Sequence, residues 1–318
     1  MTDLSIVIVT WNVKKYVQEC LTSLAKGSES LSVETIVVDN ASTDGTAELI
    51  RTQFPHVSLI ESDANLGFAR ANNIGIKLAN GKYICLINPD VNIPPDCLPK
   101  MFQFMEQQPT IGLLGPKMLG PNGDVGRSGM RFPTVWNCFL RALALDSLFK
   151  GTGIFGGRLM SDFQFNQTRD IDVLNGWFWM ARREALDQTG LLDERFFMYG
   201  EDVDWSKRFH LAGWRVVFYA DAEAVHYGGA SSSNAPVRFY IEMQRANLQY
   251  WKKHHGRISF FFYLLTVWLN HTTRTMGYGF VYLVKRSLRR EALFKMKRSY
   301  ACMHWLMSPK SVEESGAR

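Results

Sequence analysis

Apolar runs alternate with helix-patterned segments four times within the first 90 or so residues, and that alternation restricts the fold more than any other feature of the chain. Ser5–Thr10 (SIVIVT), Glu34–Val38 (ETIVV), Val57–Glu61 and Tyr83–Ile87 (YICLI) read as strands. The first and last are apolar almost throughout, which is the pattern of a strand covered on both faces. Between them, Val13, Tyr16, Val17, Cys20, Leu21 and Leu24 recur at helical spacing, with Asn12 as a candidate cap. Thr46–Phe54 and Ala69–Ala79 read as further helices, set off by the turn residues Ser42-Thr43-Asp44-Gly45 and by Asn80-Gly81. The alternation predicts an α/β fold with a mainly parallel sheet. Ligands of such sheets bind beyond the carboxyl ends of the strands. Polar residues stand at three of those ends: Thr10 and Asn12, Asp39 and Asn40, Asn88 and Asp90. One such residue is as well explained by a turn or a cap; three together predict a binding site.

The turn after the first strand, Thr10-Trp11-Asn12-Val13, contains no glycine, and no G-x-x-x-x-G-K-S/T stretch occurs. Both Gly-rich phosphate loops are therefore excluded. A nucleotide diphosphate bound here needs another neutralising device, and a divalent cation held by carboxylate supplies one.

The second half is less regular. Ile111–Met118 reads as an edge strand, Gly120–Phe132 as a loop, and the stretch from about Val135 to Asp170 resists assignment. Val173–Arg182 reads as one strand, Glu184–Thr189 as a short helix, Glu201–Ala212 as a helix with an acidic first turn, and Trp214–Tyr219 as a strand. Gly200-Glu201-Asp202-Val203-Asp204 places three carboxylates beside the apolar run Phe196–Tyr199. An apolar wall raises the proton affinity of a carboxylate, which suits a general base. His226 precedes Tyr227-Gly228-Gly229 and, alone, is as well read as structural.

The C-terminal segment has another texture. Ile258–Leu269 (ISFFFYLLTVWL) is apolar for 12 residues, is broken by Asn270, His271 and Arg274, and resumes over Gly277–Val284. Twelve residues fall short of the roughly 20 needed to span a bilayer. From Lys252 to Arg318 there are 13 Lys and Arg against 3 Asp and Glu, whereas the remainder holds 23 against 27. The basic character thus belongs to this segment, and its aromatic residues favour helices lying in a membrane interface over nucleic-acid binding, which the acidic body opposes. The five cysteines form no C-x-x-C pair and no secretory signal is evident, which predicts a cytoplasmic protein at the inner face of the cell membrane. Only the tail after Ser308 reads as disordered.

Taken in order, these motifs resemble the donor half of glycosyltransferase family 2, of GT-A fold. They are Ser5-Ile-Val-Ile-Val-Thr-Trp-Asn12, Val37-Val-Asp-Asn40, Asn65-Leu-Gly-Phe-Ala-Arg-Ala-Asn-Asn73 and Asn88-Pro-Asp-Val91. Gly190-Leu-Leu-Asp-Glu-Arg-Phe-Phe-Met-Tyr199, Glu201-Asp-Val-Asp204 and His226 resemble the rhamnosyltransferase-type branch. The resemblance runs from Leu4 to Ser233. It implies a transferase domain over residues 1–240, with a nucleotide-sugar half over 1–110 and an acceptor half over 111–240; it does not cover residues 241–318, which the basic, aromatic-rich pattern reads as a helical segment that associates with membrane. It also implies roles. Asp39 reads a pyrimidine base, with Thr10 and Asn12 nearby, and Asn65, Gly67, Arg70 and Asn73 line the nucleotide pocket. Asp90 and His226 hold Mg²⁺ or Mn²⁺, and Asp202, within the Glu201-Asp202 pair, is the catalytic base. Asn88 stands where the family's D-x-D motif has its first Asp, and the lost charge makes it a supporting residue on the donor side. Trp177 and Trp179 are candidate surfaces for sugar. The implied reaction is inverting transfer, of L-rhamnose from dTDP-L-rhamnose, to a lipid-linked or cell-surface glycan. Galactofuranose or a hexose from a UDP donor is the alternative. A non-catalytic, membrane-associated scaffold is the rival from another class, and Asn88 is its only support.

Overall fold

The computed structural model describes residues 2–307 apart from 28–29, 150–151, 153–154, 156 and 229–235. The tail after Ser308 and Gly229 lie outside the described residues. The chain divides into two compact units, Met1–Met130 with Gln164–Asn234, and Arg131–Phe163 with Ala235–Arg318.

The first unit follows the predicted alternation: β1 (Leu4–Thr10), α1 (Lys14–Gly27), β2 (Val33–Asp39), α2 (Thr46–Gln53), β3 (Ser58–Glu61), α3 (Phe68–Leu78) and β4 (Tyr83–Ile87). It continues with β5 (Val91–Asn92), α4 (Cys97–Gln107), β6 (Ile111–Leu119) and β7 (Gly129–Met130). In the second unit α5 (Val135–Ala142) and α6 (Leu145–Leu148) follow; the first unit then resumes with β8 (Arg169–Asp170), β9 (Val173–Leu174), β10 (Phe178–Arg182), α7 (Arg183–Thr189), α8 (Glu201–Leu211) and β11 (Arg215–His226). The main sheet has the order β3-β2-β1-β4-β10-β6-β11-β5, with β8 also on β11. β1, β2, β3 and β4 are parallel, β10 is antiparallel to both β4 and β6, and β6 is parallel to β11.

Strand alternation assigns the two faces. Leu4, Ile6 and Ile8 point into a core shared with Val17, Leu21 and Leu24 of α1, Leu49 and Ile50 of α2, and Leu98 and Met101 of α4. The intervening rung Val7↔Leu86↔Trp179 faces the other side. There Phe68, Trp179, Trp205 and Phe209 form an aromatic column joining α3, β10 and α8.

Four expectations change. Gly129–Met130, within the expected loop, is β7, and the strand expected over Trp214–Tyr219 runs on to His226 as β11. β6 is not an edge strand: it lies between β10 and β11, and β10 pairs only with Leu113 and Leu114, so Pro116, which lacks a donor, falls beyond that pairing. Val173–Arg182 is two strands, because the chain turns at Asn175-Gly176: Asn175 N–H donates to Ser128 O at 2.9 Å and Trp177 N–H to Asn175 O at 2.9 Å.

In the second unit, α9 (Pro236–His254), α10 (Arg257–Val284) and α11 (Arg289–Met307) join α5 and α6. Thr134 and Asn137 cap α5 reciprocally, and α10 packs on α5, α9 and α11. The polar break at Asn270–Arg274 does not interrupt α10. His271 is fully buried there, and burial, followed by the charges of Arg274 and Arg298, pulls its imidazolium down to about 4. A neutral ring facing inward is compatible with a continuous helix. Among the described residues no helix is long and apolar enough to cross a membrane.

Candidate active site

The sheet delivers its polar residues to one edge. β1 and β2 are in register through Thr10↔Asp39, so these side chains meet at the last rung. Thr10 Oγ1 donates to Asp39 Oδ1 at 2.8 Å, and Ser42 N–H donates to Asp39 Oδ2 at 2.9 Å. Asp39 is 2% exposed, and each oxygen retains acceptor capacity. Asn12, with φ at 53°, does not cap α1 with its side chain: its Oδ1 accepts from Thr43 N–H at 2.7 Å. Asp44 Oδ2 instead accepts the Lys14 N–H at 2.9 Å, satisfying one of the free donors at the start of α1.

Strand polarity brings Asp90 and His226 together. β5 pairs antiparallel with the end of β11, setting His226 opposite Val91. Asp90, one residue earlier, is 6% exposed, and its Oδ1 lies 3.2 Å from His226 Nε2. Tyr227 N–H donates to Asp90 O at 3.0 Å. Because β10 opposes β4, the residue before it also reaches this edge: Trp177 O accepts the Asn88 N–H at 2.9 Å, and the indole stacks on His226 at 5.5 Å. Trp177 is therefore a buried support for the histidine. Trp179 is fully buried in the aromatic column, with its Nε1–H donating to Leu174 O at 3.3 Å, and offers no face to a sugar. Register explains this, since two residues along a strand share a side but the turn at Gly176 puts Trp177 outside the strand.

The acidic helix start follows two left-handed residues, Tyr199 (φ 69°) and Gly200 (φ 81°). A tyrosine in that region costs about 1–3 kcal/mol, and such strain concentrates at functional sites. The three carboxylates have separate environments. Asp204 is fully buried and bonded to Arg208 Nε at 2.9 Å. Glu201 is buried with Oε2 lacking a hydrogen-bond partner, and burial, then the charges of Asp202 and Asp204, push its carboxyl well above the usual range. Asp202 is half-buried, with Oδ1 accepting the Val203 N–H at 2.8 Å. A Cβ added at Gly176 would stand 3.7 Å from Glu201 Oε1, so the helix start adjoins the turn that carries Trp177.

The Asn65–Asn73 segment is a bracket for the loop that leads to these carboxylates. Asn65 Oδ1 accepts the Gly67 N–H at 3.0 Å, and Phe68 N–H donates to Phe197 O at 2.7 Å. Gly67 has φ 80° and ψ −177°, a region open essentially to glycine alone, and a Cβ there would sit 2.4 Å from Phe197 O. Asn73 is 2% exposed; its Nδ2 donates to Leu192 O at 2.8 Å and Glu194 Oε1 at 3.0 Å, and its Oδ1 accepts the Leu192 N–H at 3.0 Å. Arg70 is exposed, 4.0 Å from Glu194. Asn40, which sequence reasoning left without a role, grips the same segment by donating to Gly67 O at 3.1 Å and accepting from Leu66 N–H at 3.2 Å. An amide that both donates and accepts was the available signal.

Asn73→Ala should therefore act on the loop. It strands the Leu192 N–H and C=O in the interior at a cost of about 1–3 kcal/mol. The expected result is a lower Tm and a lower kcat with nucleotide affinity unchanged, read by thermal melting, steady-state kinetics and calorimetric titration. Weakened nucleotide binding at unchanged Tm would instead make Asn73 a direct contact.

Among the described residues no three His, Cys, Asp or Glu side chains gather as a metal-holding cluster. Asp90 and His226 form a two-donor set of oxygen and nitrogen. Mg²⁺ characteristically takes one or two carboxylates and fills its remaining positions with substrate phosphate and water. The buried Asp90 carboxylate beside an imidazole nitrogen fits a cation shared with a diphosphate.

The sequence model described as glycosyl transferase family 2 matches residues 5–190. The chain is 31% identical over 255 residues to the N-acetylglucosaminyl-diphospho-decaprenol L-rhamnosyltransferase of Mycobacterium tuberculosis, across 74% of this chain and 80% of that protein. In fold it is similar to the mannosyltransferase PcManGT from Pyrobaculum calidifontis in complex with GDP-Man and Mn²⁺, at TM-score 0.56 and 15% identity over 95% of this chain and 89% of that one. It is likewise similar to S. aureus TarS 1–349 in complex with UDP, at TM-score 0.52 and 19% identity over 98% and 82%, and it spans 43% of a longer TarS chain. The chain is a glycosyltransferase of GT-A fold and belongs to glycosyltransferase family 2.

Proposed function

We propose that the protein is an inverting, metal-dependent transferase that moves L-rhamnose from dTDP-L-rhamnose to a hydroxyl of a lipid-linked polysaccharide precursor at a membrane surface. One observation carries the mechanism: Asp90 and His226 lie 3.2 Å apart at the carboxyl edge of the sheet, on the buried Trp177 that follows the Gly176 turn beside Glu201. The mycobacterial relative, named for L-rhamnosyl transfer to a diphospho-decaprenol sugar, supports the donor and the acceptor class.

In this reading residues 1–110 bind the donor and 111–240 form the acceptor half. Asp39, oriented by Thr10 and the Ser42 N–H, accepts a hydrogen bond from the pyrimidine base. Asn12 supports the Thr43 loop beside it, and Asn65, Gly67 and Asn73 shape the pocket from behind, with Arg70 at its rim. Asp90 and His226 hold Mg²⁺ or Mn²⁺, and Asn88 is anchored by its backbone next to them. When bound, the cation neutralises charge building on the departing diphosphate. Asp202 takes the proton of the acceptor hydroxyl. The freed oxygen forms a bond to the anomeric carbon as the bond to the diphosphate oxygen breaks; the electron pair leaves with the nucleoside diphosphate and the configuration inverts. The transition state is oxocarbenium-like, as in glycoside hydrolysis.

The test is a panel of dTDP-rhamnose, UDP-galactofuranose and UDP-hexoses with Mg²⁺ or Mn²⁺ and a polyprenyl-diphosphate sugar acceptor, following nucleoside diphosphate release. Turnover confined to dTDP-rhamnose supports the donor assignment. Turnover of a UDP sugar transfers it to the alternative, and nucleotide binding without any turnover favours the scaffold.

A further inference from the structure

α10 has one face left exposed by the described residues of its unit. Tyr263, Thr266, Val267 and His271 are buried on the inner face, where Tyr263 stacks on Trp251 at 4.6 Å. Ile258, Phe261, Leu265, Trp268, Met276 and Phe280 recur at spacings of three, four and eight, and all are exposed, from 36% at Trp268 to 76% at Ile258. At 1.5 Å per residue this stripe runs for about 33 Å along the helix. Large apolar side chains exposed in a row along one helix face mark an interaction surface.

Charge at the two ends names the occupant. No Asp or Glu occurs between Glu242 and Glu291. Lys252 and Arg257 are exposed at one end of the stripe, and Lys285, Arg286, Arg289 and Arg290 at the other. A second copy of the chain docked on the stripe, parallel or antiparallel, would bring basic ends against basic ends. An anionic lipid surface satisfies both features at once, with acyl chains under the stripe and headgroup phosphates at its ends. Arg289 is already oriented near the Tyr282 ring, 5.5 Å from its centroid, with its Nε–H donating to Tyr282 O at 3.0 Å. The helix is charged at its ends and buried along its inner face, and no described helix has a bilayer-spanning apolar stretch, so it lies along the surface.

We infer that the outer face of α10 is a docking surface for anionic phospholipid, seated in the plane of the membrane through the Ile258–Phe280 stripe. Its use to the enzyme, access to a lipid-linked acceptor, rests on the function proposed above; its existence does not. Flotation of the full chain with phosphatidylcholine vesicles, with and without phosphatidylglycerol, tests it. The protein should float with phosphatidylglycerol vesicles and be released by salt. Phe261→Asp with Phe280→Asp, and separately Arg286→Glu with Arg289→Glu, should each lower the partition coefficient at least ~10-fold. All four side chains are exposed, and unchanged thermal melting checks the fold. Absence of flotation, or flotation retained by both variants, overturns the inference. So does a concentration-dependent dimer that Phe261→Asp abolishes, which would give the stripe to a second copy. Flotation without sugar transfer from any donor of the panel to the polyprenyl-diphosphate sugar acceptor would sink the function reading and leave this surface standing.

Discussion

Asp202→Asn is expected to lower kcat for sugar transfer by about 10²–10⁴-fold, the usual contribution of a positioned general base, while donor affinity stays near that of the parent enzyme. The substitution keeps size and hydrogen-bonding shape and removes only the ability to take the acceptor proton. The neighbouring carboxyl supplies the control. Glu201 is buried, with an unpartnered Oε2, and burial and the charges of Asp202 and Asp204 favour its neutral form. Glu201→Gln mimics that neutral form and should retain most of the activity. A kcat that collapses in Glu201→Gln and survives in Asp202→Asn would exchange the two roles. Stability gives a second readout. The folded-state pKa of Glu201 is raised, so the native chain holds a proton that the unfolded chain releases first. Its contribution to stability is full below the ordinary carboxyl range and is lost as pH rises through the folded value. The Tm of Glu201→Gln should therefore fall less on raising the pH than that of the parent, whichever residue is the base.

What the sequence discloses here is local periodicity and chain order, and both were enough for the first half of the sheet. The runs around Ile8, Val37 and Leu86 have few ways to be buried except as central parallel strands, so Thr10, Asp39 and Asn88 had to share an edge. The second half depends on partners distant in sequence. Nothing in Ile111–Leu119 says that β10 will insert beside it, so β6 looked like an edge. Nothing near Trp177 says that its ring will meet His226, because that contact needs the antiparallel insertion of β10 and the β5–β11 pairing together. Asn73 and Gly67 were legible as special residues. Their motif pointed to a nucleotide, whereas their observed bonds go to Leu192, Glu194 and the Phe197 segment. One asparagine amide suits either a ligand or a loop, and only the fold decides between them. The C-terminal helices show the opposite case: Asn270–Arg274 breaks the apolar run in sequence but not the helix, because the sequence does not reveal which face of a helix is buried.

Asp90→Asn should be the most informative change at the other end of the reaction. Losing the carboxylate charge leaves His226 as the only strong donor of the pair, and one neutral imidazole is a poor site for Mg²⁺, which prefers oxygen ligands. Transfer should fall by about 10³-fold or more, in line with the several kcal/mol a Lewis acid supplies to a leaving diphosphate. The loss should also be visible without turnover: calorimetric titration of Mn²⁺ in the presence of nucleoside diphosphate should show a tight site in the parent and none in the variant. His226→Ala should be milder, because the charged oxygen ligand that Mg²⁺ prefers stays in place. It also removes the ring on which Trp177 stacks, so its Tm should drop, whereas Asp90→Asn, which can still accept a hydrogen bond from His226, should keep its Tm. Parent-like Mn²⁺ binding in Asp90→Asn would move the cation elsewhere. If that variant also retained transfer, charge on the departing diphosphate would have to be met by other groups at the same strand ends, and the division of labour between Asp90 and Asp202 would no longer hold.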